Sequence, residues 1–226
     1  MLGVVTPVPY LLAVVLALGT GVALCVGARR RPGPWTTVAA RAIAVVLISD
    51  ASSFIATEIL ARTWSPATDL PFALCDAAVL VAAAALWLRT PVLVELTYFW
   101  GLAGTLQAVI TPDLNAGFPH LIFFQYLAGH LGIVLAAFYL VVGLRIAPRP
   151  GSVLKTFSIT LAYSAFVGIV DAVSGANYMF LRRPPGNWTL LNLLGPWPWY
   201  IASAAVVAIV LFAALNLPFF LARRHG

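Results

Sequence analysis

Side chains able to act as nucleophile or base are few in this chain. It has two cysteines, Cys25 and Cys75, and three histidines, His120, His130 and His225. A thiol becomes a useful nucleophile when a base takes its proton, and imidazole is the usual base near neutral pH. Cys75 and His130 are the pair that the sequence suits to this chemistry. Asp50, Glu58, Gln107 and Asp171 accompany them inside apolar runs. An ionisable group at the centre of a membrane helix costs roughly 2.5–3.5 kcal/mol on insertion scales, so each of the three acids has a structural or functional reason to be there.

The scaffold that must hold them is a membrane bundle. Of the 226 residues, 62% are hydrophobic and only 9% charged, and the mean hydropathy is +0.98. A soluble domain carries about a quarter charged residues, so this composition excludes one. The net charge of +6 does not point to nucleic acid, because the basic residues are scattered between apolar runs. Two cysteines are too few for a disulfide framework. The fold class is therefore all-α: a polytopic membrane helix bundle, one domain over residues 1–226, integral to the cell membrane. Seven spans are predicted near Val8–Gly27, Val38–Leu60, Pro71–Leu88, Pro91–Thr111, Leu121–Leu144, Leu154–Ser174 and Pro198–Leu221. Asp69 before Pro71, Thr90 before Pro91, and Ser152 after Pro150 and Gly151 read as helix starts.

Charge orients the bundle. With the N-terminus outside and the C-terminus cytoplasmic, the inner side receives Arg29, Arg30, Arg31, Arg41, Arg89, Arg145, Arg149, Lys155, Arg223 and Arg224. The outer side receives Arg62, Arg182 and Arg183, together with Asn187. Ten basic residues against three is the asymmetry of the positive-inside rule. The first apolar run precedes Arg29–Arg31 and lacks a basic segment before it, which predicts a retained first span. Tyr178, Phe180, Trp188 and Trp197 in the long outer segment suit the membrane interface.

Mapped on that topology, Glu58, Cys75, Asp76, Gln107, His130 and Asp171 share the outer half of their spans. Asp50 lies near the middle, and Glu95 is nearly alone in the inner half. Helical spacing groups Thr160, Ser164, Asp171 and Ser174 on the sixth span, Gly104, Gln107 and Thr111 on the fourth, and Phe123, Tyr126 and His130 on the fifth, each predicted to face inward. Cys25 falls at the opposite end from Cys75. A single Cys is more often a small apolar filler, and His130 and the acids could be interhelical hydrogen-bonding groups. Asp76, next to Cys75 and on another face, reads as structural. No metal-ligand spacing is present.

Longer strings carry a resemblance. They are Tyr98-Phe-Trp-Gly-Leu-Ala-Gly-Thr-Leu-Gln107, Thr111-Pro-Asp-Leu114, Phe118-Pro-His120, Phe123-Phe-Gln-Tyr126 with His130, Gly175-Ala-Asn-Tyr-Met-Phe-Leu-Arg182, and Leu193-Leu-Gly-Pro-Trp-Pro-Trp-Tyr200. Together they resemble the bacterial YwaF-type membrane proteins, grouped with the eukaryotic transmembrane protein 164 acyltransferases. The resemblance implies transfer of a fatty acyl chain from a phospholipid to a lysophospholipid, with an essential cysteine and histidine. Cys75, in Leu70-Pro-Phe-Ala-Leu-Cys75, and His130 match those positions. Bacterial relatives commonly carry a His where this chain has Ala73. Asp50, Glu58, Gln107, Gln125, Asp171 and Asn177 are the candidates for support or substrate binding. On this reading lipid enters sideways between helices, the partners are membrane phospholipid and lysophospholipid, and no cofactor is required, coenzyme A included. Two other classes compete: a lipid hydrolase using the same residues, and a proton-coupled transporter using Asp50, Glu58, Asp171 and His130 as a relay.

Overall fold

The computed structural model describes residues 7–112, 114, 116–186 and 189–224. Asp113, Asn187, Trp188 and His225 lie outside the described residues. The described chain is helical, with no strand. Seven principal helices run α1 Pro7–Arg30, α2 Pro34–Ala61, α3 Leu74–Leu88, α4 Pro91–Ile110, α5 Leu121–Gly143, α6 Ser152–Ser174 and α7 Trp199–Arg224. Six of them are long and apolar enough to cross a membrane; α3, with 15 residues, is shorter.

Local chemistry fixes several ends. Pro34 and Pro91 open α2 and α4, where a missing amide proton costs nothing. Gly151 (φ 79°) and Gly175 (φ 77°) flank α6 in left-handed geometry that a side chain would strain. The expected start of the third span at Pro71 is corrected. Asp69 instead closes a turn, its Oδ2 accepting from Ser65 N at 2.7 Å. Pro71 lies in the next turn, between Leu70 and Phe72, and α3 begins at Leu74 with Ala73 as its cap. At 1.5 Å per residue α3 covers only about 22 Å.

α3, α4 and α5 form the centre, with α2 packed against α3 and α5. Ala78, Ala82 and Ala85 recur along one side of α3, all fully buried, and small residues of this kind let helices approach closely. α4 and α5 meet where Gly101 abuts Ile133 and Ala137. Each of these two helices contains a wider π turn, Trp100–Thr105 in α4 and Tyr139–Gly143 at the end of α5. The antiparallel register of α2 on α5 is explicit: Leu47 sits over Gly132, Asp50 over Gly129, and Ser53 and Thr57 over Gln125.

One end of the bundle gathers basic residues into specific contacts. Arg89 donates to Thr37 Oγ1, Arg223 to Pro148 O, and Arg149 clasps Glu95 through both carboxylate oxygens (2.8 and 3.0 Å). Glu95 is 2% exposed, so this bidentate pair accounts for the isolated acid of that half. The pairing also holds the Arg149 guanidinium further above its ordinary pKa. Cys25 is buried near this end against Phe138, as expected.

Candidate functional site

At the other end, a cavity of about 270 Å³ lies between α2, α3 and α5. Segment Thr68–Pro71 roofs it. Asp50 comes from α2, Cys75 and Asp76 from α3, and Gln125, Tyr126 and His130 from α5. Cys75 and His130, 55 residues apart in sequence, therefore line one space. Four of the sequence candidates line it, Asp50, Cys75, Gln125 and His130, and Asp76, read from the sequence as structural, lines it as well.

His130 is held in one tautomer. Its Nδ1 lies 2.8 Å from Tyr126 O, and a carbonyl oxygen can only accept, so Nδ1 carries the proton. The ring stacks on Tyr126 at 4.1 Å, which fixes its plane. Nε2 is then the unprotonated nitrogen, able to take a proton from a donor in the cavity.

Cys75 occupies the first turn of α3, one residue beyond Leu74. The first amides of a helix have no partner within it, and their dipoles favour negative charge nearby. That end is already partly engaged here: Ala77 N donates to Ala73 O at 3.1 Å, and Asp76 lies in the same first turn. The Thr105 hydroxyl, where the π turn of α4 ends, is 4.0 Å from the sulfur, at the outer limit of a hydrogen bond to sulfur. Val79, four residues or about 6 Å further along α3, lies beside Gly129. His130 is therefore about one helical turn deeper than Cys75, and no hydrogen bond joins them. Both residues line the same cavity, at different depths along its walls.

Asp50 packs its carboxylate against α5: a methyl group at position 129 would come 2.9 Å from Oδ2. Gln125, 7% exposed, donates from Nε2 to Ser53 Oγ (3.0 Å) and more distantly to Thr57 Oγ1 (3.5 Å). Both hydroxyls spend their own protons on backbone carbonyls of α2, Ser53 on Asp50 O and Thr57 on Ser53 O. That fixes which way the Gln125 amide faces, and its Oε1 is buried without a partner.

The other candidates lie elsewhere. Glu58 sits at the outer end of α2 and accepts from Thr63 Oγ1 at 2.7 Å. Gln107, near the end of α4, uses its backbone oxygen for Thr111 and does not line the cavity. Asp171 is fully buried, but α6 does not reach the cavity; its Oδ1 accepts from Tyr178 N at 2.9 Å. Asn177 organises the same outer loop, its Oδ1 accepting from Arg182 N and Arg183 N. Ser174, expected to face inward, is exposed and bonds back to its own helix at Val170 O.

Residues that sequence spacing did not single out complete the roof. Tyr178 Oη accepts from Leu70 N and donates to Pro66 O, each at 2.9 Å. Tyr163 Oη donates to Phe72 O at 3.0 Å. The segment that leads into Cys75 is thus pinned from α6 and from the loop after it. Burial pushes the Tyr178 hydroxyl above its ordinary pKa, so it stays protonated and able to donate.

Comparison with known proteins adds one match. The model of the TMEM164 family covers residues 2–216. No curated protein and no solved structure matches the chain.

Proposed function

Because this chain belongs to the TMEM164 family, we propose that it is a multi-pass cell-membrane acyltransferase moving a fatty acyl chain from phospholipid to lysophospholipid. The observation that carries the reading is the placement of Cys75 and His130 on facing walls of one cavity. In the first half-reaction the Cys75 thiol gives its proton to His130 Nε2 and Sγ attacks the ester carbonyl carbon. The carbon–oxygen ester bond breaks, the departing lysophospholipid oxygen takes the proton from His130, and a thioester remains. In the second, an acceptor lysophospholipid hydroxyl gives its proton to His130 and its oxygen attacks the thioester. The carbon–sulfur bond breaks and the proton returns to Cys75. Backbone amides of the first turn of α3, where Cys75 itself sits, would hold the oxyanion in both steps.

Two features favour this over a proton relay. Glu58 and Asp171 are committed to Thr63 and Tyr178 rather than to the cavity. Asp50 alone of the three acids stands with His130. The test is purified protein in liposomes with a labelled phospholipid and an unlabelled lysophospholipid. Labelled product should form, and Cys75→Ser and His130→Ala should each lower its rate by at least about 100-fold while the protein stays folded. Near-normal transfer by Cys75→Ser would overturn the thioester mechanism. Release of free fatty acid without transfer would make the protein a hydrolase. Proton flux that survives Cys75→Ser but not Asp50→Asn would make it a carrier.

A further inference from the structure

The cavity is small for a lipid. At about 270 Å³ it is less than twice the roughly 150 Å³ that accommodates a benzene ring. It has room for an ester and the first few methylenes, so the rest of any lipid bound there must extend outside. The wall between α2 and α3 is where it can. Phe54 and Ile55 of α2 and Leu80 of α3 line the cavity, yet are 39%, 36% and 44% exposed. Leu80 also belongs to the exposed side of α3 that continues to Trp87, 54% exposed, a surface facing hydrocarbon in a membrane. By contrast, Val79 of α3 and Ile133 of α5 also line the cavity and are buried.

The cavity's chemistry is graded in the same way. Polar groups line its roof and interior, and the lip at Phe54, Ile55 and Leu80 is apolar. Resting on the acyl-transfer reading, we infer that the seam between α2 and α3 at Phe54, Ile55 and Leu80 is a lateral portal. The fatty acyl chain in transit lies across Phe54, Ile55 and Leu80, its carbonyl carbon at Cys75 Sγ and its tail in the bilayer. The chain being transferred is the occupant; the headgroup stays on the side of the roof.

Covalent capture of Cys75 tests this without requiring turnover. Full-length protein carrying Cys25→Ala, in phosphatidylcholine liposomes, is alkylated with iodoacetamide and, separately, with N-dodecyl iodoacetamide. Leu80→Trp should slow the dodecyl reagent at least ten-fold and leave the small reagent within two-fold. Leu80→Ala should speed the dodecyl reagent and again leave the small one unchanged. Equal effects on both reagents, or none on the dodecyl one, would overturn the portal. Phospholipid transfer measured on the same proteins separates the two ideas. Portal-dependent alkylation without transfer rejects the acyltransferase and keeps the portal; transfer with portal-independent alkylation does the reverse.

Discussion

The carboxylate of Asp50 rests on the backbone of Gly129, one residue before the candidate base His130. A Cβ there would come 2.9 Å from Oδ2, so an alanine at 129 makes the carboxylate, the far end of a flexible side chain, turn aside. Gly129→Ala should displace the Asp50 carboxylate within the cavity while α2 and α5 keep their packing. The stability cost should stay below the roughly 1–3 kcal/mol of core overpacking. Acyl transfer should fall while the unfolding temperature changes little, and the double variant Gly129→Ala, Asp50→Ala should be no less stable than Gly129→Ala. Unchanged transfer by Gly129→Ala would mean that the position of the Asp50 carboxylate does not matter to the reaction.

Tyr178 should act on the site at a distance. Tyr178→Phe removes the hydroxyl that holds both Pro66 O and Leu70 N. Each lost hydrogen bond is worth about 0.5–1.5 kcal/mol, and the roof over Cys75 should loosen. The expected result is faster hydrogen exchange in residues 65–73 and a lower kcat with little change in KM. Exchange confined to the loop after α6 would show that the roof is held by other contacts.

Glu95 offers the complementary control. Glu95→Gln weakens the clasp on Arg149, and because Arg149 is 47% exposed and screened by solvent the loss of stability should be modest. The site is at the far end of the bundle, so transfer rates should stay within two-fold while the unfolding temperature drops. A large loss of turnover at unchanged stability would reveal coupling between the two ends.

Sidedness is checked by labelling with a membrane-impermeant thiol reagent in a Cys25→Ala, Cys75→Ala background. Gly186→Cys should be labelled from outside intact cells and Arg223→Cys should not. The reverse pattern would invert the orientation drawn from the basic residues.

Helix order and the gathering of polar groups in one half were legible because length, hydropathy and the placement of Arg are strong, local signals. Thr90–Pro91 and Gly151–Ser152 likewise marked true helix starts. Asp69–Pro71 misled because an Asp before a Pro can cap a helix or close a turn, and here the nearby Ser65 amide took the carboxylate. That Cys75, His130, Asp50 and Gln125 share one level of the bundle was legible, since depth along a helix follows from residue count, and all four line the one cavity. Asp171 has the same depth, but which neighbour a helix faces is a tertiary fact. Its partner, the Tyr178 amide, lies beyond the end of its own helix. The two roles of Tyr178 depend on a loop fold that periodicity does not encode.

The shortness of α3 reaches beyond the protein. Cys75 stands fourteen residues from Arg89, about 21 Å along the helix, whereas the hydrocarbon of a bilayer is about 30 Å thick. With Arg89 at the inner boundary, the sulfur sits roughly 9 Å beneath the outer one, below the level where phospholipid esters rest. Either the lipid descends or the surrounding leaflet thins to meet α3, and a deficit of this size draws on the elastic energy of the membrane. On the proposed mechanism bilayer thickness should therefore set the rate: short-chain, fluid membranes should present the ester to Cys75 more readily than thick, ordered ones.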